Sequence, residues 1–196
     1  MTAKNTIFFL LTAAIVIGVV YFVVTKSYAA AFVNFNAISA KSFENDFEAA
    51  LIYYEKALKT YNQGDAAVIQ SEEVKKEIQR AVLEKLIDNS IVHRDLLTRM
   101  GKKELETVIE NKTREIEKKS SEIEEGIKDL YGFSLEDFKA RVLTPMAEQE
   151  ILEGRLFLEN KNFDEWLKEE KAKARVIILI SGFKWEDGQL KIESGE

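Results

Sequence analysis

Hydrophobic positions along the chain fall into two regimes. The run Ile7 to Val24, IFFLLTAAIVIGVVYFVV, continues for eighteen residues without a charge. As a helix it spans about 27 Å, close to the hydrocarbon thickness of a bilayer. Lys4 and Lys26 flank it, and Tyr21 and Phe22 sit near its far edge, where interfacial anchors are placed. A buried core helix seldom lacks polar residues for so long. The competing reading is a cleaved signal peptide, because Ala29, Ala30 and Ala31 form an A-x-A site. Such peptides have apolar cores of only about 7–15 residues, so a retained transmembrane helix is the expectation. The positive-inside rule, with Lys4 and the amine set against Lys26, favours a cytoplasmic N-terminus. The chain then divides into residues 1–27, a cytoplasmic stub and anchor, and residues 28–196, an extracytoplasmic domain in the periplasm or at the cell surface.

Beyond the anchor the period is helical. Tyr28 to Ile38 reads as a short strand, and Ser39 as the N-cap of a helix to about Asn62. Its apolar positions Phe43, Phe47, Ala50, Leu51, Tyr54 and Leu58 follow the 3/4 spacing of one face. Asn62 to Asp65 supplies a glycine and a turn. A second helix starts near Ser71, with Glu72 and Glu73 in its first turn, and ends at Met100-Gly101. Val74, Ile78, Val82 and Leu86, with Leu83, Ile87 and Ile91, give it the broadest apolar face. From Lys102 to Glu125 the stripe narrows to Ile109, Ile116, Ile123 and then Leu130, which suits an antiparallel hairpin arm over about residues 102–130. After the turn Tyr131-Gly132-Phe133, Ser134 to Asp137 starts another helix, which Pro145 should kink. Asn162 caps a short helix containing Trp166. Arg175 to Ile180 reads as a buried strand, which the turn Glu186 to Gln189 should lead into a second strand, Leu190 to Ile192. The C-terminal helix and strands thus occupy residues 162–193, and the fold class is mainly α with a short terminal β-strand pair.

Charge and composition narrow the function. Residues 27–196 hold 26 basic and 34 acidic groups, a net charge of −8. That balance opposes nucleic acid binding and broad adhesion to anionic lipid. There is no cysteine, so neither a thiol nucleophile nor a zinc–thiolate site is expected. His93 is the one histidine and reads as a partly exposed structural residue, since no partner nucleophile or second histidine accompanies it. Phosphate-cradling glycine patterns are missing, and adjacent acids such as Glu72/Glu73, Glu124/Glu125 and Glu169/Glu170 diverge around a helix. No catalytic residue, cofactor, metal or small-molecule substrate is therefore expected. What remains is apolar surface, with 12 Phe, 6 Tyr and 2 Trp in the chain.

The order of motifs resembles the SurA-type chaperone domain shared with PpiD and PrsA. Val33-Asn34-Phe35-Asn36-Ala37-Ile38-Ser39 is similar to that family's strand-turn-helix opening, with Phe35 where a glycine is usual. Ala81 to Val92 resembles its leucine-rich helix, Tyr131 to Lys139 its serine-capped element, and Phe163 to Val176 its closing helix and strand. The resemblance covers most of residues 29–180. Leu158 to Phe163 joins the third and last motifs directly, leaving no room for the family's parvulin isomerase domain, so isomerase activity is not expected. The resemblance implies a membrane-anchored, holdase-like chaperone that binds unfolded or nascent exported polypeptides. Phe43, Phe47, Tyr54, Phe138 and Phe157 would divide between core and client cleft, and the arm Lys102 to Glu125 would form one wall. The alternative is a membrane-tethered scaffold subunit that binds one folded partner.

Overall fold

The computed structural model describes residues 28–61, 66–118 and 120–193. The expected anchor Ile7 to Val24 and the turn Asn62 to Asp65 lie outside them. Among the described residues, no helix is long and apolar enough to cross a membrane.

Strand β1 (Ala29–Val33) turns at Asn34-Phe35 into β2 (Asn36–Ser39), and both turn residues have positive φ, 48° and 75°. Two left-handed residues in a two-residue loop match the right-handed twist of the strands. Strand β3 (Val176–Ile178) pairs antiparallel with the other side of β1, giving the sheet order β2-β1-β3. This sheet joins the two ends of the domain, and the expected C-terminal strand pair lies apart from it, as a separate antiparallel hairpin over residues 183–192.

Helix α1 (Ala40–Tyr61) begins where expected, with the Ser39 Oγ accepting from the Ser42 N–H at 3.0 Å. A 3₁₀ turn (Ala66–Gln70) leads to α2 (Glu72–Met100), whose N-cap Ser71 accepts from the Val74 N–H. Gly101, at φ 75°, ends α2 and donates to Leu97 O. Helix α2 is the spine. Its buried Ile78, Val82, Leu83, Ile87, Ile91, Val92 and Leu96 meet α1, the later helices and both sets of strands.

Helices α3 (Lys102–Lys118) and α4 (Ser120–Tyr131) occupy the expected arm but do not form a free-standing hairpin. The main partners of α3 are α6 (Thr144–Leu158) and α2, while α4 lies on α1. Leu105 and Thr113 are buried on α3, and Ile127 is buried on α4. These positions fall outside the seven-residue stripe, which explains why the stripe misled: Ile116 and Leu130 are exposed.

A short α5 (Leu135–Phe138), capped by Ser134, passes into a π turn (Lys139–Leu143) and then into α6. Pro145 has no N–H for an α-helical bond. Pro145 falls in the first turn of α6, just after a π-type bond in which the Thr144 N–H reaches back to Lys139 O.

Helix α7 (Phe163–Lys173) is capped by Asn162, whose Oδ1 accepts from the Glu165 N–H at 3.1 Å. Two expectations fail beyond it. The segment Arg175 to Ile180 is not fully buried: Ile177 in β3 is 43% and Leu179 just beyond it 56% exposed, because the strand lies at a sheet edge with one face outward. Nor does the turn at Asp187-Gly188 join β3 to Leu190 to Ile192. Gly182, at φ 85°, reverses the chain first, and β4 (Phe183–Glu186) pairs with β5 (Gln189–Ile192) as a separate hairpin. Lys171 fastens this hairpin and α7 to the spine. It donates to Glu84 at 2.8 Å, lies 3.0 Å from Asp88 Oδ1, and is 5.9 Å from the Trp185 ring centroid.

Two substitutions test the packing. Leu83 is fully buried on the spine, and Leu83→Ala is expected to cost about 2–5 kcal/mol. Gly188 has φ 74°, and an added Cβ would lie 3.1 Å from the Ala172 backbone nitrogen. Gly188→Ala should cost about 1–3 kcal/mol, because backbone cannot yield as a side chain can. Urea unfolding measures both.

Candidate functional site

Helix α1 presents Asp46, Ala49, Ala50, Tyr53 and Tyr54 at the spacing of a single face, and α2 answers with Ile78, Ala81, Val82 and Lys85. Alanines at 49, 50 and 81 keep the facing surfaces low, so the helices leave a cleft between them of about 240 Å³. Tyr131, Phe133, Arg141 and Val142 close its far side.

The aromatic wall is continuous. The Tyr53 ring stacks on Tyr131 with centroids 5.6 Å apart and planes 4° from parallel. Tyr54 meets Tyr53 edge-on at 5.8 Å, and Tyr131 is backed by Phe133 at 6.3 Å and Phe138 at 5.6 Å. At the mouth, Tyr53 and Tyr54 are 42% and 47% exposed.

The polar end is self-contained. Arg141, aimed inward from the π turn, donates to Asp46 Oδ1 at 2.8 Å and to Ser42 O at 3.3 Å. Its Nε lies 3.5 Å from Asp137, and its guanidinium sits 5.9 Å from the Phe133 centroid. Burial pushes the Asp46 carboxyl above its ordinary value, while Arg141 and Lys85 oppose the shift. With Asp46 and Arg141 satisfying each other, the cleft offers a mostly apolar lining, one fixed ion pair and the exposed Lys85 ammonium. No nucleophile–base pair faces it, and no cluster able to hold a metal ion is found among the described residues.

The five aromatics singled out by the sequence are scattered. Phe43 is 6% exposed and stacks on Phe47, and both belong to the main core. Tyr54 lines the cleft. Phe138 packs into a second core cluster with Ala49, Ile127 and Phe133 behind the wall. Phe157 is 79% exposed at the end of α6, away from the cleft. The stretch Lys102 to Glu125 lines none of the cleft; Tyr131, at the end of α4, does. Tyr53, Tyr131, Phe133, Asp46 and Arg141 escaped sequence reasoning. The available signal was the alanine pair 49/50 with tyrosines one turn later, facing Ala81.

His93 lies at a different opening, between α2, α3 and α6. Its Nδ1 is 2.7 Å from the Glu148 Oε1, and the Glu148 side chain is 5% exposed. The Glu148 hydrogen bond raises the imidazole above its ordinary value, with burial opposing. A raised folded-state pKa means stability that is fully present below the unfolded value of about 6.5 and lost as pH climbs through the folded value. The unfolding temperature is therefore expected to fall as pH rises above about 6.5, and His93→Gln should flatten that decline. Scanning calorimetry across the range checks it.

Compared with known families, curated proteins and solved structures, the chain has no match.

Proposed function

We propose that the protein is a membrane-anchored extracytoplasmic chaperone of the holdase type, binding unfolded or newly translocated polypeptides without isomerase activity. The observation that carries this reading is the aromatic-walled cleft between α1 and α2. Its volume, about 240 Å³, falls below the roughly 300–1,000 Å³ of small-molecule sites, and suits an apolar side chain of a polypeptide. Tyr53 and Tyr54 offer large contact areas with hydroxyls that tolerate water, a chemistry that accepts many sequences. Binding by burial is non-directional and needs neither nucleotide nor covalent step. The order of SurA-like motifs and the apolar run Ile7 to Val24 support the rest of the reading, in which the cleft would stand where exported chains emerge.

Aggregation of a chemically unfolded protein, followed by light scattering with the full-length chain in nanodiscs, tests the activity. Suppression is expected. Ala81 is exposed at the cleft, so Ala81→Trp should fill it without disturbing the core. Ala81→Trp and Tyr54→Ser are each expected to weaken client binding about tenfold, the equivalent of one aromatic contact. No suppression at several-fold excess refutes the chaperone. Crosslinking followed by pull-down separates it from the scaffold reading, which requires one stoichiometric folded partner in place of many substoichiometric clients.

A further inference from the structure

The three-stranded sheet has two unlike faces. Ala31, Val33 and Ile38 point into the core, with Val176 and Ile178 beside them. On the other face the register sets Ala37, Phe32 and Ile177 in a row, and strand alternation adds Arg175 and Leu179 on either side of Ile177. Ile177 and Leu179 are 43% and 56% exposed, and Phe35 at the hairpin tip is 83% exposed. The Phe35 ring lies 5.8 Å from the Arg175 guanidinium, which places it on this face. Phe35 occupies a left-handed position that glycine would fill without strain, so the ring is held out to solvent against the backbone's preference.

Charge sets this sheet apart. Residues 28–39 contain no charged side chain, and residues 174–183 contain only Arg175, in a chain that is 32% charged. The acidic excess that opposes adhesion to lipid elsewhere is missing here. The chain before β1 points to an occupant. The apolar run ends at Val24, and only Thr25, Lys26 and Ser27 precede Tyr28, a reach of at most about 14 Å.

We propose that the exposed face of the β2-β1-β3 sheet lies on the bilayer surface, with Phe35, Ile177 and Leu179 at the interfacial level and Arg175 directed to lipid phosphates. This rests on the reading of Ile7 to Val24 as an anchor. The tether makes docking intramolecular, so a small patch suffices where it would fail for a free protein. Aromatic and aliphatic side chains next to a cation match the polarity gradient of that interface.

The cysteine-free chain allows single labels. Full-length protein carrying Phe35→Cys, Ile177→Cys or Leu179→Cys, each bearing a fluorophore, is reconstituted in phosphatidylcholine vesicles containing headgroup-nitroxide lipid. Ile116→Cys on α3, which packs on α2 and α6, is the control. Flotation with the vesicles and several-fold stronger quenching at all three sheet positions than at 116 are expected. Phe35→Gly, introduced into the Ile177→Cys protein, should keep the unfolding temperature and reduce quenching at 177; unchanged quenching overturns the anchoring role of the face. Flotation with uniform quenching overturns the docking and leaves the anchor standing. Quenching at 179 alone shows an end-on sheet and overturns face-on contact. A chain that does not float refutes the anchor and the docking together. A fluorophore response to added unfolded protein or to rising protein concentration, without lipid quenching, assigns the face to a client or a second copy and overturns the proposal.

Discussion

The structure depends on the pairing of β1 with β3, which joins residues 31–33 to residues 176–178. A two-stranded hairpin is marginal in water, and β3 turns β1 and β2 into a sheet with one face to bury. Burial on that side is complete: Ala31 is 0% and Val33 1% exposed, and a register shift between Ala29 and Ala31 leaves Ala30 buried as well. Small residues are required because β1 runs between two strands and directly against α2. Asn34 locks the junction. Its N–H donates to Arg175 O, its Oδ1 accepts from the Arg175 N–H at 2.9 Å, and its carbonyl accepts from Arg94 on α2. One turn residue thus ties hairpin, final strand and spine together.

The cleft is built from what the core leaves out. Where α1 and α2 face each other with Leu, Ile and Phe they close, and where they face each other with alanine they part. The gap is prevented from collapsing by the stacked rings and by Arg141, which the π turn swings toward α1. Replacing a regular turn by a π turn re-aims the side chains that follow, and Pro145 supplies the reason for it. Burying the Asp46–Arg141 pair brings little net stability, since desolvation offsets the attraction. Its effect is on geometry: the pair fixes the distance between α1 and the segment before α6.

Local chemistry was legible in the sequence and long-range register was not. Ser39, Ser71, Ser134 and Asn162 each cap the helix expected of them, because a cap is decided within four residues. The broad apolar face of α2 marked the spine for a similar reason. The heptad stripe of residues 109–130 failed because α3 and α4 pack on different partners, so no single seam exists to set the period. The C-terminal strands lie where expected, but their burial and partners were not legible, because RVIILI reads equally well as buried or as edge and only the strand order decides. Of the candidate aromatics only Tyr54 reached the cleft; helical spacing identifies a face, but not which part of that face meets a neighbour and which meets a gap.

Closure between distant segments also orders events in time. Helices α1 and α2 rest on contacts close in sequence and can form as soon as residue 100 is available, and the cleft closes once Tyr131 to Val142 follow. β1 cannot complete its pairing until residue 178 has been made, some seventy-eight residues later. At synthesis rates of about 5–20 residues per second that interval lasts for seconds, during which one edge of β1 stands open. The strand meets this exposure with short length, three alanines and a tight turn, features that give a foreign strand little to hold. The cleft is then complete before the domain is, and β3 seals the sheet without shaping the cleft.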